Sequence, residues 1–417
     1  MEVIAPPARR VLERLERAGY EAYLVGGCVR DLLLDRRPGD WDITTAARPE
    51  EVLSLFAPQA AATGLKHGTV TVFEGAASFE VTTFRLDGTY ADHRHPDAVT
   101  FSDSLAEDLK SRDFTVNAMA MDQAGEITDL FGGREDLARG VLRCVGRPEQ
   151  RLEEDALRIM RALRFSSVLG FTLAPETADA VFQGKSLLRE VAVERVREEL
   201  LKLLCGRCVV PALLQYAEVL GVVLPEILPA VGCDQRNIHH CYDVWEHIAR
   251  TVRFVPPNAV LRMTMLLHDL GKPGTMTVDE DGTGHFRGHA DVSCTLGKTI
   301  LERLHFDKES TRRILTLVQW HDVPIEQTQK AMRRLLHKLG EQGVRDLLQV
   351  KRADNLAQAS AYHGRQGQID TLEALLQQAL EQDACFTLRQ LAVNGRDLLE
   401  QGYRGREVGA ALQFMLD

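Results

Sequence analysis

Residues 21–45, EAYLVGGCVRDLLLDRRPGDWDITT, carry the pattern from which the fold of the N-terminal part is predicted. An apolar stretch runs into Gly26 and Gly27 and then into a helical segment that bears Arg30. Glycines let the backbone approach a ligand closely, and the amides at a helix N-terminus favour phosphate. The stretch therefore predicts a strand, a tight turn and a helix. Such a turn is common and does not establish phosphate binding by itself.

Two acidic residues, Asp40 and Asp42, follow in GDWDITT. If this segment is a strand, side chains two apart point to one face, so the two carboxylates lie side by side. Carboxylates so placed repel unless a cation sits between them, and Mg²⁺ binds one or two carboxylates together with substrate phosphates. Glu80, in SFEVTTFR, is a candidate third ligand from a neighbouring strand. The alternative is a solvated edge strand.

The chain changes character near residue 140. Val- and Thr-rich runs precede it and predict strands, namely EAYLVGG, TVTVF and FEVTTF, while LARGVLRCV predicts a closing strand pair. Apolar residues at helical spacing dominate the rest of the chain. The expected fold class is α+β, with a small mixed sheet in an N-terminal domain and helices behind it.

Composition places the chain among proteins that bury several cores, because its 417 residues are 45% hydrophobic and 26% charged. The first residues, MEVIAPPARR, lack a basic stretch followed by an apolar run, so we expect neither export nor membrane insertion. Eight scattered cysteines, with Cys205 and Cys208 as the one Cys-x-x-Cys pair, favour reduced thiols in a cytoplasm. The net charge of −10 argues mildly against nucleic acid as a partner.

A local basic stretch runs against that net charge. Between Arg139 and Arg164, seven arginines stand against four acids. Taken alone, such a stretch favours a solvated helix face, and an RNA-binding surface is the alternative.

Taken together, these motifs resemble the class II tRNA nucleotidyltransferases and their bacterial poly(A) polymerase relatives, in the DNA polymerase β superfamily. Five motifs occur in the family's order: LVGGCVRD, GDWDITT, TFRLDGTYADHRHP, SRDFTVNAMA and EDALRIMRALRF. VERVREELLKLL follows them, so that the resemblance extends from Tyr23 to about Leu204. Where the family usually has two arginines before an aspartate, this chain has Ser111, Arg112 and Asp113.

The resemblance implies a polymerase-β-like nucleotidyltransferase head and assigns residues to the nucleotide. Asp40 and Asp42 would hold Mg²⁺, as catalytic residues together with Glu80. The other implied contacts are to the triphosphate (Gly26, Gly27, Arg30), to the ribose (Arg112, Asp113) and to the base (Asp155, Arg158, Arg161), and Arg164 joins the nucleotide-binding set.

Asp155 and Arg158 also have a physical rationale, because residues three apart on a helix project from one face. A carboxylate accepts hydrogen bonds and a guanidinium donates them. Cytosine and adenine present an amino donor beside a ring-nitrogen acceptor, whereas uracil and guanine present the reverse. The pair is therefore predicted to accept CTP and ATP. The alternative is an intrahelical ion pair on a solvated surface.

A second group of residues lies in the helical part. It consists of histidines and aspartates, a ligand mixture that suits divalent transition ions: His247, His268, Asp269, His289, His321 and Asp354. Their order is similar to that of the HD phosphohydrolase superfamily, which implies a site for Mn, Ni, Co or Fe. Asp322 competes with Asp354 as the last ligand.

The resemblance implies addition of CMP, CMP and AMP to the 3′ end of tRNA from CTP and ATP, with no membrane partner. Alternatives are a poly(A) polymerase, an enzyme that adds only CC or only A, or an HD phosphohydrolase with a nucleotide-binding head. TYADHRHP, Thr89 to Pro96, resembles the loop with which the family switches from C to A. The expected domains are a head (1–145), an all-α neck (146–220), an HD-containing body (221–365) and a tail (366–417).

Overall fold

The structure is a computed structural model and describes residues 4–86, 100–382 and 393–416. The chain divides into two compact units, residues 1–200 and 201–417, and each is described by itself. The expected C-to-A switching segment, Thr89 to Pro96, lies outside the described residues.

The first unit contains a mixed sheet flanked by helices. Its strands are β1 (Ala22–Val25), β2 (Asp42–Thr45), β3 (Ala60–Gly64), β4 (Thr69–Glu74), β5 (Ala77–Thr83), β6 (Arg85–Leu86), β7 (Thr100–Phe101), β8 (Met119–Met121), β9 (Ile127–Asp129), β10 (Val141–Leu142) and β11 (Thr172–Leu173). Its helices are α1 (Pro6–Arg17), α2 (Gly27–Leu33), α3 (Pro49–Phe56), α4 (Leu105–Lys110), α5 (Gly133–Arg139), α6 (Pro148–Glu154), α7 (Leu157–Leu169), α8 (Pro175–Gly184) and α9 (Val193–Leu204), the last of which crosses the unit boundary.

Seven strands form the main sheet, in the order β3-β4-β5-β2-β1-β8-β9. The pair β2 and β5 is parallel and places Asp42 opposite Glu80, whereas the other neighbours are antiparallel. The predicted small mixed sheet is confirmed, and EAYLVGG, TVTVF and FEVTTF supply β1, β4 and β5. Val25 packs in the core with Leu109 and Ala120 beneath the Gly26 turn.

The predicted strand pair in LARGVLRCV is wrong. Residues up to Arg139 end helix α5, and Gly140 caps it in the left-handed conformation, with φ of 66°. Only Val141–Leu142 is a strand, and it pairs in parallel with β11. Glycine stops a helix at this position because it adopts positive φ without a steric penalty, and the apolar pattern alone did not reveal that.

The described part of the second unit is helical apart from a short hairpin, β12 (Thr277–Val278) with β13 (Gly284–His285). Its helices are α10 (Val209–Gln215), α11 (Ala217–Leu220), α12 (Val244–Phe254), α13 (Ala259–Leu267), α14 (Lys272–Thr275), α15 (His289–Arg303), α16 (Lys308–Trp320), α17 (Gln329–Leu356), α18 (Arg365–Glu381), α19 (Gly395–Glu400) and α20 (Arg406–Leu416). The predicted α+β class with a helical C-terminal part is confirmed. None of the described helices has the length and apolar character needed to cross a membrane.

Side-chain caps fix where helices α12 and α16 begin. Asp243 accepts a hydrogen bond from Glu246 N at the start of α12, and Asp307 accepts one from Ser310 N at the start of α16. Such caps satisfy amides that have no partner within the helix. Because α12 carries the buried His247 and the buried His321 directly follows α16, these caps help set where the two histidines lie.

Candidate active site and metal centre

The turn after β1 brings three parts of the first unit together. Gly26 has φ of 73°, a conformation that favours glycine. A Cβ atom at Gly26 would lie 3.1 Å from Arg112 Nη1 and 3.8 Å from Asp42 Oδ2. Any side chain at this position would therefore enter the space between the guanidinium and the carboxylate.

The acidic group differs in one respect from the sequence prediction. Asp42 is the first residue of β2, but Asp40 lies in a bend two residues before the strand, so the two do not alternate along one strand. Pro38 and Gly39 precede Asp40 and favour a turn over an extended segment. Glu80 lies opposite Asp42 on the neighbouring strand, as predicted.

The electrostatics of Asp42 favour a bound cation. Burial raises the pKa of the Asp42 carboxyl, and Arg112 lowers it, while Glu80 and Asp40 raise it further. The net pKa lies above its ordinary value because burial, the largest of these effects, together with Glu80 and Asp40 outweighs Arg112. A divalent ion would stabilise the charged carboxylates.

Arg112 is held by an acid that the sequence analysis missed. Its Nη2 donates to Asp108 Oδ2 at 3.1 Å, and the Asp108 side chain is buried. Burial alone would lower the pKa of Arg112, but Asp108, Asp42 and Asp113 outweigh it and raise the pKa. The spacing of four residues was the available signal, because such residues are neighbours along a helical turn.

A buried hydrogen-bond network continues from Asp113. Asp113 Oδ1 accepts from Asn117 Nδ2 at 3.0 Å, and Asp113 Oδ2 accepts from Arg161 Nε at 2.8 Å. Arg30 Nη1 donates to Asn117 Oδ1 at 2.7 Å. Although burial raises the pKa of Asp113, Arg161 and Asn117 hold it well below its usual range. These four residues therefore form one hydrogen-bonded network, in which Asn117 links Arg30 to Asp113.

The position of Asp155 corrects the prediction that Asp155 and Arg158 project from one face of the same helix. Asp155 follows the end of α6 with extended backbone, and α7 begins at Leu157, so Asp155 and Arg158 do not share a helix. The Asp155 carboxylate pairs with Arg195, Nη2 to Oδ2 at 3.1 Å. The sequence pattern ran helical through this junction, so it did not show the break.

Arg158 is buried and not part of a solvated helix face. Its Nη1 donates to Glu154 Oε2 at 2.9 Å, and its Nη2 donates to the Ser111 carbonyl at 3.2 Å. Arg164 is also largely buried and pairs with Glu199, Nε to Oε2 at 3.0 Å. Several arginines of the basic stretch thus have acidic partners inside the unit.

The second unit gathers the histidines and aspartates singled out from the sequence. Ligand-type atoms lie within 4.8 Å of one another in two groups that share Asp269: the first is His247, His268, Asp269 and Asp354, and the second is Asp269, His289 and His321. Asp322, the alternative to Asp354, is exposed and belongs to neither group.

Asp269 stands between the two groups, with one oxygen toward each. Its Oδ2 lies 3.3 Å from His247 Nε2 and 3.2 Å from His268 Nε2. Its Oδ1 lies 3.3 Å from His289 Nε2 and 3.6 Å from His321 Nε2. A carboxylate placed in this way can bridge two metal ions.

Backbone carbonyls set the tautomers of these rings. The Nδ1 atoms of His268, His289 and His321 lie 2.7, 2.7 and 2.6 Å from the carbonyls of Met265, Phe286 and Val318. A carbonyl only accepts, so each Nδ1 carries the proton. Each Nε2 is then a lone-pair donor directed at the centre, the usual arrangement for a metal-bound histidine.

Unsatisfied atoms at the centre fit a metal. The Nε2 atoms of His289 and His321 lie 3.1 Å apart, although both are acceptors when Nδ1 carries the proton. Neither oxygen of Asp269 nor His268 Nε2 makes a hydrogen bond of good geometry. Without an ion, Asp269 and Asp354 outweigh burial and raise the pKa of His268 to about 9. Metal binding would replace that proton.

Lys272 lies beside the same centre and was not singled out from the sequence. Its Nζ lies 2.7 Å from Asp269 Oδ2 and donates to Gln235 Oε1 at 2.9 Å. Together with His268, it keeps the pKa of Asp269 well below the usual range, although burial alone would raise it. Its position directly after LLHDLG, the segment that contains His268 and Asp269, was the available sequence signal for Lys272.

Three families match successive parts of the chain. Residues 22–143 match the Poly A polymerase head domain, residues 170–230 match a probable RNA and SrmB-binding site of polymerase A, and residues 237–359 match the HD domain. Among solved structures, the Bacillus stearothermophilus CCA-adding enzyme in complex with CTP is 34% identical, with a TM-score of 0.77. The match covers 99% of this chain and 92% of that one. This chain belongs to the CCA-adding enzyme family.

Curated CCA-adding enzymes match about half of the chain at higher identity. The Lactobacillus helveticus protein is 56% identical over 199 residues, or 48% of this chain and 50% of that protein. The Geobacillus stearothermophilus protein is 52% identical over 216 residues, or 52% and 53%. The chain thus spans about half the length of the curated CCA-adding enzymes it matches. A CCA-adding enzyme solved with ATP, at 21% identity and a TM-score of 0.59, shares the fold.

Proposed function

We propose that this chain adds CMP, CMP and AMP to the 3′ end of tRNA, using CTP and ATP and releasing diphosphate. The observation that carries the proposal is the meeting of Asp42, Gly26 and Arg112, with Glu80 in register on the next strand. Membership of the CCA-adding enzyme family supports it, as does the CTP complex of a relative.

Mg²⁺ fits the head site, because Asp42 has a raised pKa and faces two further carboxylates. Asp40 and Asp42 would hold the ion, with Glu80 as the third acid. When bound, Mg²⁺ stabilises charge on the attacking and leaving oxygens of an in-line phosphoryl displacement.

The chain's own residues bind and orient the nucleotide. Gly26 and Gly27 leave the space that a triphosphate needs, and Arg30 neutralises part of its charge. Arg112 and Asp113 meet the ribose. In the reaction, the terminal ribose hydroxyl of the RNA bonds to the α-phosphorus, and the bond from that phosphorus to the bridging oxygen breaks. The hydroxyl proton is lost and diphosphate departs.

Base selection requires an exchange of partners. Asp155 now accepts from Arg195, and Arg158 donates to Glu154. We infer that a cytosine or adenine edge replaces part of these contacts, donating its amino group to Asp155 and accepting from Arg158. Arg161, which donates to Asp113, would keep the residues that contact the base aligned with those that contact the ribose.

Product length distinguishes this function from its alternatives. A tRNA that lacks CCA is incubated with each nucleotide separately and with CTP and ATP together. The proposal requires addition of two residues from CTP alone and a third when ATP is added. A poly(A) polymerase would give a long ladder from ATP, and an enzyme that adds only CC would stop at two residues.

We further propose that the second unit is a metal-dependent phosphohydrolase. The support is the bridging position of Asp269 between two groups of Nε2 atoms. Mn, Ni, Co or Fe suits this ligand set. Candidate substrates are 2′,3′-cyclic phosphates or 2′-phosphates at RNA ends, whose removal would restore an extendable end. Hydrolysis of bis-p-nitrophenyl phosphate and 2′,3′-cyclic AMP with each metal, wild type against Asp269→Ala, tests it.

The four-domain division is proposed with the same boundaries, residues 1–145, 146–220, 221–365 and 366–417. The extents of the three family matches support it, although the most compact division falls at residue 200, within the proposed neck. Limited proteolysis tests the boundaries, because exposed linkers are cleaved first.

A further inference from the structure

The ring of Phe165 collects three arginine side chains of the nucleotide-binding set. The guanidinium carbons of Arg30, Arg161 and Arg164 lie 5.2, 5.4 and 4.0 Å from the ring centroid. Each distance is within the range of about 6 Å in which a cation is attracted to an aromatic face. Arg30 comes from α2, whereas the other two precede Phe165 on α7, so the ring joins two parts of the unit that are distant in sequence.

Each guanidinium is also paired with its own acid. Arg30 Nη2 lies 2.9 Å from Asp31 Oδ1, Arg161 binds Asp113, and Arg164 pairs with Glu199. The acids lie on different elements, with Asp31 on α2, Asp113 after α4 and Glu199 on α9. Phe165 is the group that all three share.

Within this cluster, Arg164 is the guanidinium whose charged form is disfavoured. Burial lowers the pKa of Arg164 to about 10; Glu199 opposes this effect, and the charges of Arg161 and Arg30 add to it. The acids around Arg161, by contrast, raise its pKa. A phosphate group beside Arg164 would favour its charged form, and a triphosphate would meet donors that are already assembled.

We propose that Phe165 is a positioning residue for nucleotide binding, whose ring holds the guanidiniums of Arg30, Arg161 and Arg164 in the arrangement that CTP and ATP bind. The inference rests on the proposed nucleotidyl transfer and extends it by assigning a role to an apolar side chain. Because the ring acts before the chemical step, its loss raises KM more than it lowers kcat.

The test is to replace Phe165 with 3,4,5-trifluorophenylalanine in the full chain. Fluorine withdraws electron density from the ring face and nearly preserves its shape, so cation attraction weakens while packing remains. The expected result is a KM for CTP and ATP raised about threefold to tenfold, with kcat within about twofold of wild type. Phe165→Leu should raise KM by at least as much, and Phe165→Tyr should stay near wild type.

Phe114 offers a matched control, because it is fully buried and contacts the Phe165 ring edge-on, with centroids 5.9 Å apart. The same fluorinated residue at Phe114 should leave KM unchanged. The proposal is overturned if the trifluorophenylalanine and Leu variants both bind nucleotide as wild type does, or if Phe165→Leu alone of these two is weakened. Should the Leu variant not fold, the fluorinated variant decides.

Calorimetric titration with CTP separates this proposal from the proposed function. If wild-type protein adds nothing to tRNA, nucleotidyl transfer fails, and the CTP affinities of the same variants still measure the role of Phe165. An affinity loss in the trifluoro variant supports the positioning role. Equal affinities contradict it.

Discussion

Arg30 and Asp113 do not touch, yet they are joined through Asn117, which accepts from Arg30 at 2.7 Å and donates to Asp113 at 3.0 Å. Arg30 is assigned to the triphosphate and Asp113 to the ribose. The amide therefore couples the two ends of the proposed nucleotide site, and only a side chain with both an acceptor and a donor can do so.

Asn117→Asp tests this coupling, because aspartate keeps the acceptor for Arg30 but loses the donor to Asp113. Two carboxylates would then face each other in a buried position. We expect a loss of about 2 kcal/mol in the free energy of unfolding and a KM for CTP raised about tenfold. Urea unfolding and steady-state kinetics measure both. A wild-type free energy of unfolding together with a wild-type KM would show that Asn117 does not couple Arg30 to Asp113.

Asp42→Asn is expected to lower the rate of nucleotide addition about a thousandfold, since it removes a proposed ligand of the catalytic ion. Stability should not fall, because the raised pKa of Asp42 means that its charge is disfavoured in the folded state. Asp103→Asn, at an exposed carboxylate of the same unit, is the control. Single-turnover addition within a few-fold of wild type would remove Asp42 from the site.

Asp155→Asn replaces one of the two acceptor oxygens with an NH2 donor and should relax the preference for CTP and ATP toward UTP and GTP. Arg195→Ala, which removes the present partner of Asp155, should leave that preference intact. Competition between paired nucleotides at equal concentration gives the selectivity. If both variants lose activity equally for all four nucleotides, Asp155 supports the fold and does not read the base.

The pH dependence of stability follows from the depressed pKa of Asp113. The folded state holds this carboxylate charged, so its contribution is present above about pH 4, the unfolded value, and is lost as pH falls toward the folded pKa. Asp113→Asn should destabilise by about 3 kcal/mol at pH 7, because Arg161 loses a buried partner. The gap to wild type should shrink between pH 4 and pH 2. A gap independent of pH would contradict the assignment.

Metal stoichiometry tests the bridging position of Asp269. Wild-type protein purified with Mn²⁺ should bind two ions in the second unit, His321→Gln should bind one, and Asp269→Asn should bind fewer than one. Elemental analysis after removal of loosely bound ions gives the ratios, and a chelator should lower the melting temperature of wild type. Equal metal content in all three would exclude this centre.

Much of the fold was predictable because its signals are local. The apolar run before Gly26 and the alternating pattern of β4 and β5 predict their strands within a few residues. Asp40 and Asp155 were misplaced because Pro38 and Gly39, and the break after Glu154, interrupt patterns that otherwise continue. Local periodicity does not show such interruptions.

The polar contacts of the sites were much less accessible from sequence. Asn117 meets Arg30 across 87 positions, and Arg195 meets Asp155 across 40. Such pairs are created by tertiary packing, and neither partner has a distinguishing local pattern. The histidines of the second unit were found through resemblance, but the carbonyls that set their tautomers belong to Met265, Phe286 and Val318, whose side chains carry no such signal.

The most direct measurement is the 3′-terminal sequence made on a tRNA that lacks CCA, with CTP and ATP supplied together and Asp42→Asn run in parallel. The account predicts three added residues, C, C and A, one diphosphate released for each, and addition by the variant about a thousandfold slower. Failure of wild-type protein to extend the tRNA, or extension with a long run of A, would contradict it.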